Sequence, residues 1–185
     1  MKQALLVIDA QQALIDGTEG EKTVFQKETL IKNINTVIAQ ARQADVLLVF
    51  IRDKDVANGE GSGFQIHADI QVPPEAHIFD KKATNSFYGT PLLPFLTEHD
   101  VKHLVIMGCA TEYCIDTAVR TATVNGFDVT LVGDGHSTPG SDTLTAEQII
   151  SHHNRILHGH YNVDHFSVVR KTGEDLFQPI HNQYR

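Results

Sequence analysis

Four short, largely apolar runs restrict most strongly what this chain can fold into. Ala4–Ile8 is closed by Asp9, Val46–Ile51 by Arg52-Asp53, Leu104–Met107 by Gly108 and Val129–Val132 by Gly133. Runs of this length without steady polar alternation are strands covered on both faces, as in a parallel sheet. Ala76–Asp80 and His165–Val169 read as two further short strands. Between the runs the period changes to that of a helix: Leu30, Ile31, Ile34, Val37, Ile38 and Ala41 within 27–44, then Ile115, Ala118, Val119 and Ala122 up to Gly126 as a C-cap. Pro91–His99 and Ala146–Leu157 read as further helices. Strands alternating with helices predict an α/β fold, a three-layer α/β/α sandwich around a mostly parallel six-stranded sheet with right-handed crossovers.

The chain has 185 residues, enough for one well-buried core and short for two, so residues 1–185 are expected to form one domain. No stretch approaches the ~20 apolar residues of a membrane span, and no secretory signal is visible. Two cysteines make no disulfide framework, which points to a reducing, cytoplasmic setting. A net charge of -8 argues against nucleic acid or an anionic membrane as partner, since both are bound through excess Lys and Arg, and favours a small-molecule substrate. The 11 histidines are scattered; only His99 and His103 have H-x-x-x-H spacing, with Asp100 where a zinc protease has glutamate.

Cys114 follows a strand that ends at Gly108 and sits in the first turn of the helix after it. Exposed N–H groups there favour a thiolate and can bind an oxyanion, which makes Cys114 a candidate nucleophile; the alternative is an inert helix residue. Asp9 at the end of the first strand shares that sheet edge, where ligands of open parallel sheets bind, unless it only caps a turn. Residues 54–75 lack periodicity and hold three glycines and two prolines, so they read as a long loop that is a candidate lid or substrate selector, with Phe64 and His67 inside it. Lys81 and Lys82 end another strand, where lysines are usually solvated.

Together these residues resemble the isochorismatase-like cysteine hydrolases, a superfamily that includes nicotinamidases, N-carbamoylsarcosine amidohydrolases, ureidoacrylate and biuret hydrolases, and isochorismatases. The matching blocks are Leu5–Asp9, Lys81-x-x-x-Asn85-Ser86-Phe87-x-Gly89-Thr90, Gly108–Cys114 and Asp134–Thr138. The resemblance implies an isochorismatase-like, Rossmann-like fold and a catalytic triad of Asp9, Lys81 and Cys114. Lys81 rather than Lys82 is selected by its six-residue offset to Phe87. It also implies an oxyanion hole from the N–H groups of Ala110 and Cys114, and a cis peptide at Cys109–Ala110.

Such a site would hydrolyse the C–N bond of a small amide, ureide or carbamoyl compound through a thioester. Gln11, Phe64, His67, Asn85, Phe87 and Tyr113 are the candidate substrate-pocket residues. Family members are commonly dimers or tetramers, so a homodimer or homotetramer is expected. Nicotinamidases bind a metal through Asp-x-His and a second histidine; this chain has Asp53-Lys54-Asp55, so neither a catalytic metal nor any other cofactor is expected. Isochorismatase-type ether cleavage, a non-catalytic binding module on the same fold, and a thiol sensor using Cys109 and Cys114 remain as alternatives, with Glu112 and His136 read as structural.

Overall fold

The computed structural model describes residues 2–177; the extreme ends of the 1–185 span lie outside them. The chain runs β1 (Lys2–Ile8), α1 (Gln12–Asp16), α2 (Lys27–Gln43), β2 (Leu47–Asp53), α3 (Gly61–Phe64), β3 (His77–Lys81), α4 (Leu92–Glu98), β4 (Val101–Cys109), α5 (Asp116–Val124), β5 (Asp128–Ser137), α6 (Ala146–Leu157), β6 (Tyr161–Asn162) and β7 (His165–Arg170). The sheet order is β3-β2-β1-β4-β5-β7-β6, parallel except for the β6–β7 pair. From β1 the chain builds outward through β2 and β3, then returns to place β4 on the other side of β1. The boundary between β1 and β4 is therefore a topological switch point.

The strand period of two divides the core between the two sheet faces. Leu5, Val7, Leu48, Phe50, Val105 and Met107 pack with Leu30, Ile34, Val37, Ile38 and Ala41 of α2. Ala4, Leu6, Ile8, Val49, Ile51, Leu104 and Ile106 pack on the other face with Leu92 and Leu96 of α4, Ala118, Val119 and Ala122 of α5 and Leu157 of α6. Each such side chain removed from water contributes about 1.5–3 kcal/mol, which makes this register the one that a slip by one residue would ruin. Thr145 caps α6 through a reciprocal capping box with Gln148.

The structure has seven strands where the pattern predicts six. The addition, β6, is a two-residue antiparallel edge too short to show a period. β5 runs on to Ser137 through Gly133 and Gly135, with a register shift against β4 between Ile106 and Gly108. Gly108 is required there: its φ is +123°, and a Cβ would stand 2.0 Å from the Ile8 carbonyl oxygen. Residues 54–75 hold one short helix, α3, after a turn at Val56–Gly59 in which Ala57 and Asn58 are left-handed, with φ of +49° and +54°. Among the described residues no helix is long and apolar enough to cross a membrane.

Candidate active site

Four neighbouring strands each end at one polar residue on the same sheet edge. Asp9 follows β1, Asp53 ends β2, Lys81 ends β3 and Cys114 follows β4. Asp9 adopts φ +50°, a left-handed conformation that aspartate tolerates better than most residues, and its N–H donates to the Ile51 carbonyl. Cys114 lies in a wide turn, Thr111–Ile115, in which Ile115 N–H reaches back five residues to the Ala110 carbonyl. A π turn thus stands where the sequence pattern predicts the first turn of an α-helix, and π turns are frequent at functional sites.

Lys81 is the hub of the site. Its Nζ lies 2.9 Å from Asp9 Oδ2 and 3.4 Å from Cys114 Sγ, and it is ion-paired with Asp53 Oδ2. Lys81 and Asp9 are each only 1% exposed. Burying a lysine without partners costs several kcal/mol, and here three anionic or polarisable neighbours offset it. Burial opposes the charge on Lys81, but the charges of Asp9 and Cys114 and the bond to Asp53 push its pKa above the ordinary lysine range.

Burial also pushes the Asp9 carboxyl up to about 6, against the opposing pull of Lys81. The Cys114 thiol is pushed up to about 12, first by burial and then by the Asp9 charge, with Lys81 working the other way. This corrects the expectation that the exposed N–H groups at the helix start favour a thiolate. Desolvation and an adjacent carboxylate outweigh them, and the resting pair at neutral pH is a thiol beside a carboxylate. Asp9 Oδ1 is buried and has no hydrogen-bond partner among the described residues.

The donor atoms of Asp9, Asp53 and Cys114 lie within 4.8 Å of one another, a spacing that could in principle hold a cation. The Lys81 ammonium contacts all three, so the chain supplies its own cation there. With no imidazole in the set and an ammonium among the donors, these residues do not fit a resident metal. His99 and His103 do not converge either. His99 Nδ1 is bonded to the Phe95 carbonyl, and His103 is buried between Gln3 and Thr130.

A cavity of about 320 Å³ opens above this cluster, lined among others by Asp9, Asp53, Thr84, Ala110, Tyr113 and Cys114. The Cys109–Ala110 peptide beside it is cis. The isochorismatase domain pattern matches residues 3–150 of this chain. The chain belongs to the isochorismatase domain family.

Among its relatives, streptothricin hydrolase of Streptomyces noursei is 30% identical over 155 residues, covering 78% of this chain and 60% of that protein. The chain thus spans less than two thirds of that relative's length. Ureidoacrylate amidohydrolase RutB of Cronobacter turicensis is 24% identical over 156 residues, covering 64% of this chain and 67% of that protein. A solved isochorismatase family protein superposes with a TM-score of 0.82 at 29% identity, covering 91% of this chain and 98% of its own.

Of the six candidate pocket residues, only Tyr113 lines the cavity of this isochorismatase-family site. Gln11 is fully buried and serves as a clamp: it accepts from Asp53 N–H at 2.7 Å and donates to the carbonyls of Asp53 and Phe64. Phe64 packs under the Arg52 guanidinium, 4.3 Å from its ring centre. His67 bonds Asp16 and lines a separate surface groove. Asn85 shapes its own turn, bonding Phe87 N–H and Thr121, and Phe87 packs on Phe127.

His136, buried and held neutral by a pKa pushed down to about 4, links Thr111 to Asn154 and so fixes the start of the Cys114 turn. Glu112 accepts from Thr138. Both cysteines are free, and they face opposite halves of the core, Cys109 towards α2 and Cys114 towards α5. Asp53 is the site residue that sequence reasoning missed. Its signal was a carboxylate closing β2 as Asp9 closes β1.

Proposed function

We propose that this chain is a cysteine hydrolase that cleaves a C–N bond of a small amide, ureide or carbamoyl compound through a thioester on Cys114. The observation that carries this reading is the contact of one buried ammonium, Lys81, with both the Asp9 carboxylate and the Cys114 sulfur on the floor of one cavity. The names of the hydrolase and amidohydrolase relatives support it, and the cavity volume suits a small molecule.

With the thiol near 12 and Asp9 near 6, attack requires the proton to move as the bond forms. Sγ bonds to the substrate carbonyl carbon, the thiol proton passes to Asp9, and the carbonyl π pair moves onto oxygen. The N–H groups of Ala110 and Cys114 would hold that oxyanion. Collapse breaks the C–N bond, and Asp9 returns the proton to the leaving nitrogen. Water then attacks the thioester with Asp9 as base, releasing the acid and restoring the thiol. Lys81 stays charged throughout, so it offsets negative charge on Asp9 in one half-reaction and on sulfur in the other.

Ammonia or amine release from a panel of small amides, ureides and carbamoyl compounds tests this. Wild type is expected to turn over at least one of them, and Cys114→Ala to lose at least ~10³-fold in rate. Equal release by the variant would refute the reading.

A further inference from the structure

We propose that Asp53 is a positioning residue for the Cys114 reaction, one that holds the Lys81 ammonium across both the Asp9 carboxylate and the Cys114 sulfur. This inference rests on the reading of the cavity as a hydrolase site and adds a residue to its machinery. An ammonium has three N–H donors and accepts nothing. Lys81 Nζ has three partners, Asp9 Oδ2 at 2.9 Å, Cys114 Sγ at 3.4 Å and Asp53 Oδ2, so each donor has one acceptor and the orientation of the group is fixed. The Lys81 side chain is out of contact with solvent, so losing one acceptor leaves a buried donor unpaired.

Asp53 is itself held from several sides. Its backbone pairs in register with Lys81 across β2 and β3. Gln11, fully buried, accepts from its N–H at 2.7 Å and donates to its carbonyl at 3.1 Å. Its Oδ1 accepts from the Asp55 N–H at 3.0 Å, which leaves Oδ2 for Lys81. Asp53 also acts on Asp9 through charge. Burial is the main cause of the raised Asp9 carboxyl, and the Asp53 charge adds to it while Lys81 opposes. The titratable groups around Asp9 are Lys81 from β3, Asp53 from β2, Cys109 at the end of β4 and Cys114 in the turn after it, with Glu21 and Asp55 at the cavity rim. Of these only Lys81 is cationic. An ammonium shared with Asp53 lowers the basicity of Asp9 less than one paired with Asp9 alone, and Asp9 needs that basicity to take the thiol proton.

Two readouts test the proposal, one of them independent of turnover. The first is the carboxyl carbon of Asp9, followed by NMR in protein labelled with carbon-13 aspartate, its signal being the one absent from Asp9→Asn. Its titration midpoint, about 6 in wild type, is expected to fall by roughly one pH unit in Asp53→Asn and to return most of the way in Asp53→Glu. Asp80→Asn, which breaks the Arg52 pair one residue earlier on the same two strands, should leave the midpoint in place.

The second readout is kcat against KM for amide hydrolysis. Asp53→Ala is expected to lose at least ~10-fold in kcat with KM within ~2-fold, because the ammonium is displaced and the substrate contacts are not. Asp53→Asn, equal in size to wild type, carries the test if the alanine variant fails to fold. An Asp9 midpoint unmoved by Asp53→Asn, or moved as far by Asp80→Asn, would overturn the proposal, and amide turnover in the same protein would leave the hydrolase reading standing. A KM that rises while kcat holds would make Asp53 a substrate contact and overturn the positioning role. The expected midpoint shift, with no amide turned over by wild type, would sustain the hold of Asp53 on Lys81 and count against the hydrolase reading.

Discussion

Replacing Asp9 with asparagine should make the protein more stable and less active at the same time. The folded state holds the Asp9 carboxyl at a pKa of about 6, against 3.8 unperturbed, because burial disfavours its charge more than Lys81 favours it. The unfolded chain therefore releases this proton at lower pH than the folded one. Between about pH 4 and 6 the folded protein binds more protons, and its stability falls as pH rises. Below that window Asp9 contributes no penalty. Above it the penalty is complete, roughly two pKa units or about 3 kcal/mol.

Asparagine copies the size and hydrogen bonding of the protonated acid without the charge. The Asp9→Asn variant should thus match wild type near pH 4 and exceed it by about 3 kcal/mol above pH 7, or about 6–12 °C in Tm for a chain of this size. Urea unfolding followed by far-ultraviolet circular dichroism at pH 4, 5, 6, 7 and 8 measures this, the chain having no tryptophan. In the same pH series wild-type kcat/KM should rise through about pH 6, where Asp9 becomes able to accept the thiol proton, and the variant should be inactive throughout. A stability difference that is independent of pH, or a variant less stable than wild type at pH 8, would refute the reasoning.

Two further perturbations address the same frame. Lys81→Met leaves the Asp9 and Asp53 carboxylates facing each other without a cation, which should cost about 3–5 kcal/mol at neutral pH and progressively less in acid as they protonate, read by the same urea series. Gly108→Ala forces a Cβ against the Ile8 carbonyl at a positive φ and should cost at least ~3 kcal/mol, separating β4 from β1; loss of activity and of stability should track together across temperature.

The regular elements were legible because their signals are local. α6 begins and ends at the predicted residues, helped by the Thr145–Gln148 cap, and the apolar runs around Leu6, Val49 and Ile106 all became central strands. Asp9 was legible because it closes an apolar run and Cys114 because it starts the helical segment after one, so the sheet carries both to one edge; Lys81 was singled out only by the family resemblance, through its offset to Phe87. The pocket walls were not legible, because loop side chains take directions from distant backbone pairings. Gln12 N–H to Gln65 and His67 N–H to Ala10 tie the segment after β2 onto α1, and this turns Phe64 and His67 away from the cavity while leaving Asp55, Val56 and Ala57 in it. The thiol's protonation was not legible either. It depends on how deeply the sulfur is buried and how near Asp9 stands, and neither is a property of spacing along the chain.

The four polar groups at the reacting centre hang from four adjacent strand ends, whereas Thr18, Glu21, Asp55 and Ala57 at the rim belong to connecting segments. In the proposed reading, chemistry and access therefore rest on separate parts of the chain. Sheet hydrogen bonds hold the four residues of the proposed mechanism in one register, and the rim segments can lengthen, shorten or change sign without moving them. Grafting the 17–21 and 54–60 segments between members of this fold would therefore exchange what is admitted while conserving how it is cut.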